Sequence, residues 1–233
     1  MHHVKQSIEF DLSPKQTSLW LKQFNLHVSH ERIYQYLLKD KLQGGLLYRH
    51  LRCQKQRKKR YGSMSRQGQI RDRVSIDQRA DVVNRRARLG DWEADTIIGA
   101  QHQQAIVSLT ERRSGFCLIQ KVTRKTALDV SKAMIKLLTS FKNKVHTITS
   151  DNGREFAAHQ TISYQLKTKF YFAKPYASWQ RGLNENMNGL VRQSFPKQCD
   201  FTKITQKEID DVMYRLNHRP IKRLCIKTSN QLL

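Results

Sequence analysis

The sequence predicts an α/β protein: a mixed sheet led by an antiparallel meander, with helices on its faces, behind a small helical segment and a basic linker. Three observations predict it. Residues 90 to 123 hold three β-rich runs with short connections. One helical stretch and two more extended runs follow. Helical periodicity then returns over 178–195 and 205–220. This order lacks the regular alternation of a doubly wound sheet. A chain of 233 residues with 38% hydrophobic content can bury a substantial core in one or two domains.

Residues 1–45 read as a helical segment. In "LSPKQTSLWLKQF", Ser13 is a candidate N-cap, Pro14 stands at the first helical position and Gln16 at the third, which makes a capping box. Leu19, Trp20 and Phe24 are the expected apolar face. Ser29 is expected to cap "HERIYQYLLKD", with Ile33, Tyr36 and Leu37 on one side. Two helices joined by a short turn on a basic chain predict a helix-turn-helix-like DNA-binding segment. His30, Glu31, Arg32 and Gln35 are then candidates for base or phosphate contact, although an ordinary helical hairpin has the same pattern. Residues 46–84 read as a linker. "RHLRCQKQRKKRYGSMSRQGQIRDR" is dense in Lys and Arg, and is expected to be extended or loosely helical. Arg57, Lys58, Lys59 and Arg60 are candidates for a phosphate track.

The core is expected over 85–233. "GDWEADTIIGA" alternates as a strand, with Trp92, Ala94 and Thr96 on one side and Glu93, Asp95 and Ile97 on the other. "QAIVSLTER" and "GFCLIQKVT" are two further strands, joined through "ERRSG" in a hairpin-type turn with Gly115. "KTALDVSKAMIKLLTSF" has helical period, with Leu128, Ala133, Ile135 and Leu138 as its apolar side. "KVHTITSDNG" and "KFYFAKPY" are short fourth and fifth strands. "SWQRGLNENMNGLVRQSF" reads as a helix with Leu183, Met187, Leu190 and Val191 as its buried stripe. "TQKEIDDVMYRLNHRP" reads as a last amphipathic helix, closed by Pro220.

The formal net charge of +24, from 43 Lys and Arg against 19 Asp and Glu, implies a polyanionic partner. Nucleic acid is the default reading. An anionic membrane is the rival, but no long apolar run or signal-peptide core supports it. A structural nucleic-acid-binding protein fits the charge alone. Cys53, Cys117, Cys199 and Cys225 are scattered without a Cys-x-x-Cys, which speaks against structural zinc and a disulfide framework and for a reducing cytosol. The chain carries no P-loop, no Gly-x-Ser-x-Gly and no His-Glu-x-x-His.

Three acids stand at edges of the expected elements. Asp95 lies inside an otherwise apolar strand, where an acid needs a partner or a metal. Asp151, in "SDNGREF", follows a strand directly, where ligands gather in such sheets. It is equally placed to be a turn former. Glu185, in "NENMN", lies on a helix, four residues after Arg181, which is placed to pair with it or to touch phosphate. Glu93 and Glu155 are nearby acids, as good in composition. Two-metal polynucleotidyl chemistry needs a few carboxylates that meet at one point, because Mg²⁺ takes oxygen ligands and keeps several waters.

"GDWEADTIIGA", "LTERRSGF", "TSDNGREFAAH" and "FYFAKPYASWQRGLNENMNGLVRQSFPK" together resemble the bacterial insertion-sequence transposases of the IS-thirty family. These are DDE transposases with a retroviral-integrase-like core, and the resemblance runs from about Leu12 to about Thr228. It implies an RNase H-like fold over 85–233, a mixed five-stranded sheet with helices on both faces. It implies Asp95, Asp151 and Glu185 as the catalytic and metal-binding triad, two Mg²⁺ ions with Mn²⁺ as a substitute, and Arg181 at phosphate. The family carries a further helical module ahead of the part matched, so a copy shortened at its N-terminus is expected. Cys225, Ile226 and Ser229 also depart from the family's pattern around "KT".

The expected function is metal-dependent DNA cleavage at element ends and strand transfer into target DNA. The expected partners are double-stranded DNA and further copies of the chain, in the bacterial cytoplasm at the nucleoid and away from membranes. The alternative is a truncated, non-catalytic DNA-binding protein that represses or inhibits transposition.

Overall fold

The structure, a computed structural model, describes residues 2–51, 70–100, 104–175 and 177–233, without the side chains of 178 and 179. The chain divides into two compact units. One comprises Met1–Ser63 with Asn217–Leu232, and the other Met64–Leu216 with Leu233. Asn217–Leu232 falls with the N-terminal helices, where Gln16 Nε2 donates to the Pro220 carbonyl at 2.9 Å and Arg219 donates to the Asp11 carbonyl.

The first unit contains α1 (His2–Glu9), α2 (Pro14–Lys22) and α3 (His30–Leu42). Ser13 and Gln16 form the expected capping box on α2, and Ser29 caps α3 by accepting from the Arg32 amide at 3.2 Å. Val4, Ile8, Leu21, Ile33, Leu37 and Leu47 make its core. The sequence reading missed α1. It also put Phe24 on the apolar face of α2, but α2 ends at Lys22 and Phe24 is 60% exposed on the connection, so Leu21 fills the core instead. The α2–α3 connection occupies residues 23–29, longer than the roughly three- or four-residue turn of the usual helix-turn-helix.

The second unit is built on one sheet of β1 (Asp91–Ile98), β2 (Ala105–Glu111), β3 (Cys117–Val122), β4 (Thr147–Ser150) and β5 (Lys169–Phe172), in the order β3-β2-β1-β4-β5. The β1–β2 and β2–β3 pairs are antiparallel, and the β1–β4 and β4–β5 pairs are parallel. This is the mixed five-stranded sheet expected from the sequence. Parallel neighbours need a crossover. Between β1–β3 and β4 it is α5 (Ala127–Thr139), and between β4 and β5 it is α6 (His159–Leu166), which the sequence reading did not identify.

Helices cover both faces. Trp92 and Ala94 of β1 share a core with Val130, Met134 and Leu138 of α5 and Ile162 and Leu166 of α6. Ile97 packs on the other side with Met187 and Val191 of α7 (Gly182–Ser194) and with Ile209, Val212 and Leu216 of α8 (Gln206–Asn217). Leu128 was expected in the apolar stripe of α5. It stands in the first turn and is exposed, while Val130, Ala133 and Met134 carry the contact. In α7, Asn184, Met187 and Val191 are the buried residues.

The part of the expected linker that is described after residue 69 is docked and not extended. Ile70, Ile76 and Val83 are buried, and α4 (Asp81–Asn84) lies within it. Ser75 forms a parallel bridge with Phe172 at the free edge of β5. The β2–β3 hairpin turns through Gly115 at φ +75°, as the sequence indicates. Gly90, at φ +97°, lets the chain enter β1 where a Cβ would stand 1.8 Å from the Lys144 carbonyl oxygen. Among the described residues no helix is long and apolar enough to cross a membrane. Cys117, Cys199 and Cys225 are free thiols.

Candidate active site

The strand period puts Asp91, Glu93, Asp95 and Ile97 on one face of β1, the face under α7. The parallel register with β4 pairs Trp92 with Ile148 and Glu93 with Thr149. Continued, it carries Asp95 alongside Asp151, which follows the last residue of β4. The Asp151 side chain also shapes its own turn, because the Gly153 amide donates to Asp151 Oδ1 at 2.9 Å. Asp151 is therefore both a turn former and a carboxylate at the strand end.

One guanidinium joins the two acids. Arg181 Nη1 lies 3.4 Å from Asp95 Oδ2, and Arg181 Nη2 lies 3.4 Å from Asp151 Oδ2. Asp95 has two further donors: its own Oδ1 accepts from the Thr96 amide at 2.8 Å, and Oδ2 accepts from Asn188 Nδ2 at 2.9 Å. Burial pushes the Asp95 carboxyl above its ordinary value of 3.8; Arg181 opposes this, while Asp151 and Glu155 add to it. A half-buried carboxylate whose pKa is raised by its surroundings, beside a second acid, is where acid chemistry or a cation belongs.

Glu185 lies in the first turn of α7 and its residue is exposed. It shares that helix with Asn188 three residues after it, and Arg181, the N-cap residue of α7, stands four residues before it. Among the described residues no group of three or more His, Cys, Asp or Glu side chains is assembled closely enough to hold a metal ion. The structure thus brings Asp95 and Asp151 together through Arg181, and sets Glu185 on the neighbouring helix.

The other acids of this region have structural partners. Glu93 is buried and pairs with Arg112, and it accepts from the Asn184 amide at 3.0 Å, which anchors α7 to β1. Asp91 takes a bidentate contact from Arg88 at 3.0 and 3.1 Å and accepts from Thr147 Oγ1 at 2.7 Å. Glu155 accepts from Thr96 Oγ1 at 2.8 Å and pairs with Lys125 at 2.7 Å.

Of the residues expected at DNA, His30, Arg32 and Gln35 are exposed on α3. Arg57, Lys58, Lys59 and Arg60 lie outside the described residues. Arg181, expected at phosphate, is turned onto the acids. Asn188 was missed, although its spacing of seven residues from Arg181 and four from Asn184 puts it on the same helical face. Arg192, also on α7, donates to the Ile98 carbonyl at 2.6 Å and ties the helix to the end of β1.

The chain is 46% identical over 205 residues to the transposase for insertion sequence element IS4351 of Bacteroides fragilis, covering 88% of this chain and 63% of that protein. It is 36% identical to the transposase for IS1086 of Cupriavidus metallidurans, over 95% of this chain and 68% of that protein. It is 33% identical to transposase InsI for IS30A of Escherichia coli, over 99% of this chain and 63% of that protein. The chain therefore spans about two thirds of the length of these relatives. No family model matches it. Among solved structures, a chain of the simian T-cell lymphotropic virus intasome, determined in complex with PP2A regulatory subunit B56 gamma, aligns with a TM-score of 0.53. That match is 18% identical and covers 82% of this chain and 68% of that one, a likeness of fold. The sheet order, the flanking helices and this likeness make the fold of the second unit RNase H-like. Sequence identity at this level over nearly the whole chain shows that the protein belongs to the insertion-sequence transposases of the IS30 type.

Proposed function

We propose that the protein acts in DNA transposition, with Asp95, Asp151 and Glu185 as the acids of a metal-dependent polynucleotidyl transferase. The observation that carries the reading is the pair of carboxylates from two strands that share one cationic group at 3.4 Å each. Donor chemistry supports it too: carboxylate oxygens suit a hard divalent cation such as Mg²⁺ or Mn²⁺. Asp95 and Asp151 would hold that ion, with Glu185 supplied from α7. When bound, two such ions would lower the pKa of an attacking water and offset charge on the leaving oxygen.

The chain's own groups do the rest. Asn188 and the Thr96 amide hold the Asp95 carboxylate in one orientation, and the Gly153 amide does the same for Asp151. Water attacks a phosphodiester at the element end, the bond to the 3′ oxygen breaks, and a 3′-hydroxyl is freed. That hydroxyl then attacks a phosphodiester of target DNA: a new bond from its oxygen to phosphorus forms, the bond to the target's own 3′ oxygen breaks, and that oxygen leaves as a target 3′-hydroxyl carrying the proton. The side chains hold and orient, and none becomes covalently attached to DNA.

Double-stranded DNA is the proposed partner, consistent with the charge of +24, with His30, Arg32 and Gln35 of α3 exposed to meet it. Arg57, Lys58, Lys59 and Arg60 would extend that contact. Two ends must be held at once, so more than one copy of the chain would assemble on DNA, in the bacterial cytoplasm. A second reading, a DNA-binding inhibitor of transposition without catalysis, is favoured by the lack of a three-acid cluster among the described residues.

The test is a nicking and strand-transfer assay on end-containing duplex with Mg²⁺ or Mn²⁺, with the IS4351 relative as positive control. Asp95→Asn, Asp151→Asn and Glu185→Gln are each expected to lose at least about a hundredfold in rate, since even partners outside the ligand set commonly cost 10–100-fold, while DNA binding persists. Activity retained in all three variants overturns the triad. DNA binding without cleavage by the wild type selects the inhibitor.

A further inference from the structure

The Arg181 side chain is only 14% exposed, yet its contacts are loose. Its two acid contacts are both 3.4 Å, and a third, to the Ala94 carbonyl, is also 3.4 Å. Charge-assisted hydrogen bonds usually measure about 2.7–2.9 Å. Its Nε is buried with no hydrogen-bond partner. Arg88, by contrast, forks onto Asp91 at 3.0 and 3.1 Å. Arg181 is thus held by charge more than by fitted hydrogen bonds.

Its position works against it. Arg181 is the N-cap residue of α7, with φ −124° and ψ 35°, and makes no side-chain cap bond. The start of a helix carries the positive end of the backbone dipole, which disfavours a cation. The two acids, with the Ala94 carbonyl, offset this. Because the residue lies where a 3₁₀ turn (Ser178–Arg181) meets α7, its side chain can swing away without breaking the helix ladder.

We propose that Arg181 is the resident counter-cation of the Asp95–Asp151 pair, a place-holder that a divalent cation displaces. The inference rests on the metal-binding reading given above. Two carboxylates this close repel each other unless a positive charge stands between them. The guanidinium supplies one charge at a distance. A divalent ion supplies two charges in direct contact with the oxygens, and both cations cannot occupy the same gap. Displaced, the guanidinium remains at the mouth of the site, where a DNA phosphate oxygen would be its next partner.

Mn²⁺ binding to the full chain, measured by calorimetry at pH 8 without DNA, tests this directly. Arg181→Gln is expected to bind Mn²⁺ about three- to tenfold tighter than wild type, the scale of losing one partly screened charge. Arg181→Lys, which keeps the charge and loses the fork, is expected between them, and Asp95→Asn below all three. Thermal melting gives a second readout. Metal-free Arg181→Gln melts below wild type and gains more from added Mn²⁺, because tighter binding to the folded state stabilises it more. If Arg181→Gln and Arg181→Lys bind no tighter than wild type while Asp95→Asn still weakens binding, the counter-cation role is overturned and the metal reading stands. If wild type and Arg181→Gln both fail to bind Mn²⁺, both fall.

Discussion

At the start of β1, Asp91 and Glu93 are closed off from solvent and fully engaged. Asp91 holds Arg88 and Thr147, and Glu93 holds Arg112 and the Asn184 amide. Two residues further along the same face, Asp95 is 21% exposed at its side chain and shares a distant guanidinium with Asp151. The acids are of one chemical kind, at one spacing, on one strand. What separates them is how completely their neighbours satisfy them. The first pair fastens the strand to β4, the helix α7 and the hairpin, and the last is left able to exchange its partner. A fold that must present reactive carboxylates can use such a gradient: the tightly paired end fixes the strand so that the loosely paired end stays in place.

The sharpest way to break this contrast is at the closed end. Arg112 is buried, with a guanidinium whose pKa is lowered by burial against the attraction of Glu93. Arg112→Ala leaves Glu93 as an uncompensated buried charge, a change that commonly costs about 3–5 kcal/mol. Urea unfolding is expected to show that loss. A cost below about 1 kcal/mol, typical of a surface pair, would mean that the closed end is no more fastened than the open one.

Much of this contrast was readable in advance, and the unreadable part has a physical cause. The strand alternation in "GDWEADTIIGA" puts Asp95 with Ile97 on the face away from Trp92 and Ala94, and both cores obey it. The Ser13–Gln16 capping box, the Ser29 cap and the Gly115 turn are local chemistry that tertiary contacts do not override. By contrast α6 is a single short helix whose buried side is His159, Ile162 and Leu166, and a buried histidine reads as polar in a sequence. Residues 70–84 look like a solvated linker because their charges are counted and their destinations are not. Arg79 of that stretch is buried against Thr149 and Asn84, with its pKa lowered by burial to about 10. Spacing alone likewise could not say whether Arg181 would meet Glu185, a phosphate or, as found, two acids at once.

A smaller effect is expected where the closed end meets the hairpin. Glu111, buried at the end of β2, accepts from the Gly90 amide at 3.1 Å, from the Ser114 amide and hydroxyl at 2.6 Å each, and from the Arg113 amide at 3.0 Å. All four partners are donors. Glu111→Gln turns one acceptor into a donor that faces donors, and is expected to cost about 1–3 kcal/mol in urea unfolding, the usual penalty for a buried group left unsatisfied. The Gly115 turn should loosen with it, seen as faster amide exchange at Ser114 and Phe116. An unchanged stability would show that the hairpin is set by its backbone alone.

The smallest effect tests the open end, and its sign is opposite. Burial holds the Asp95 carboxyl above its ordinary value of 3.8, with Arg181 only partly offsetting it. An acid whose folded pKa is raised contributes most to stability below the unfolded value, and that contribution is lost as pH rises through the folded value. At neutral pH, then, the ionised Asp95 weighs against the metal-free fold. Asp95→Asn, which is neutral at every pH, is expected to melt at a higher temperature than wild type at pH 7. The difference should shrink as pH falls through the raised folded value, where the wild-type side chain takes up its proton, and on toward 3.8. If Asp95→Asn instead melts lower at pH 7, the contacts from Arg181 and Asn188 outweigh the cost of burial. Asp95 would then be fastened like Glu93, and nothing at that end of the strand would be held ready to exchange its partner.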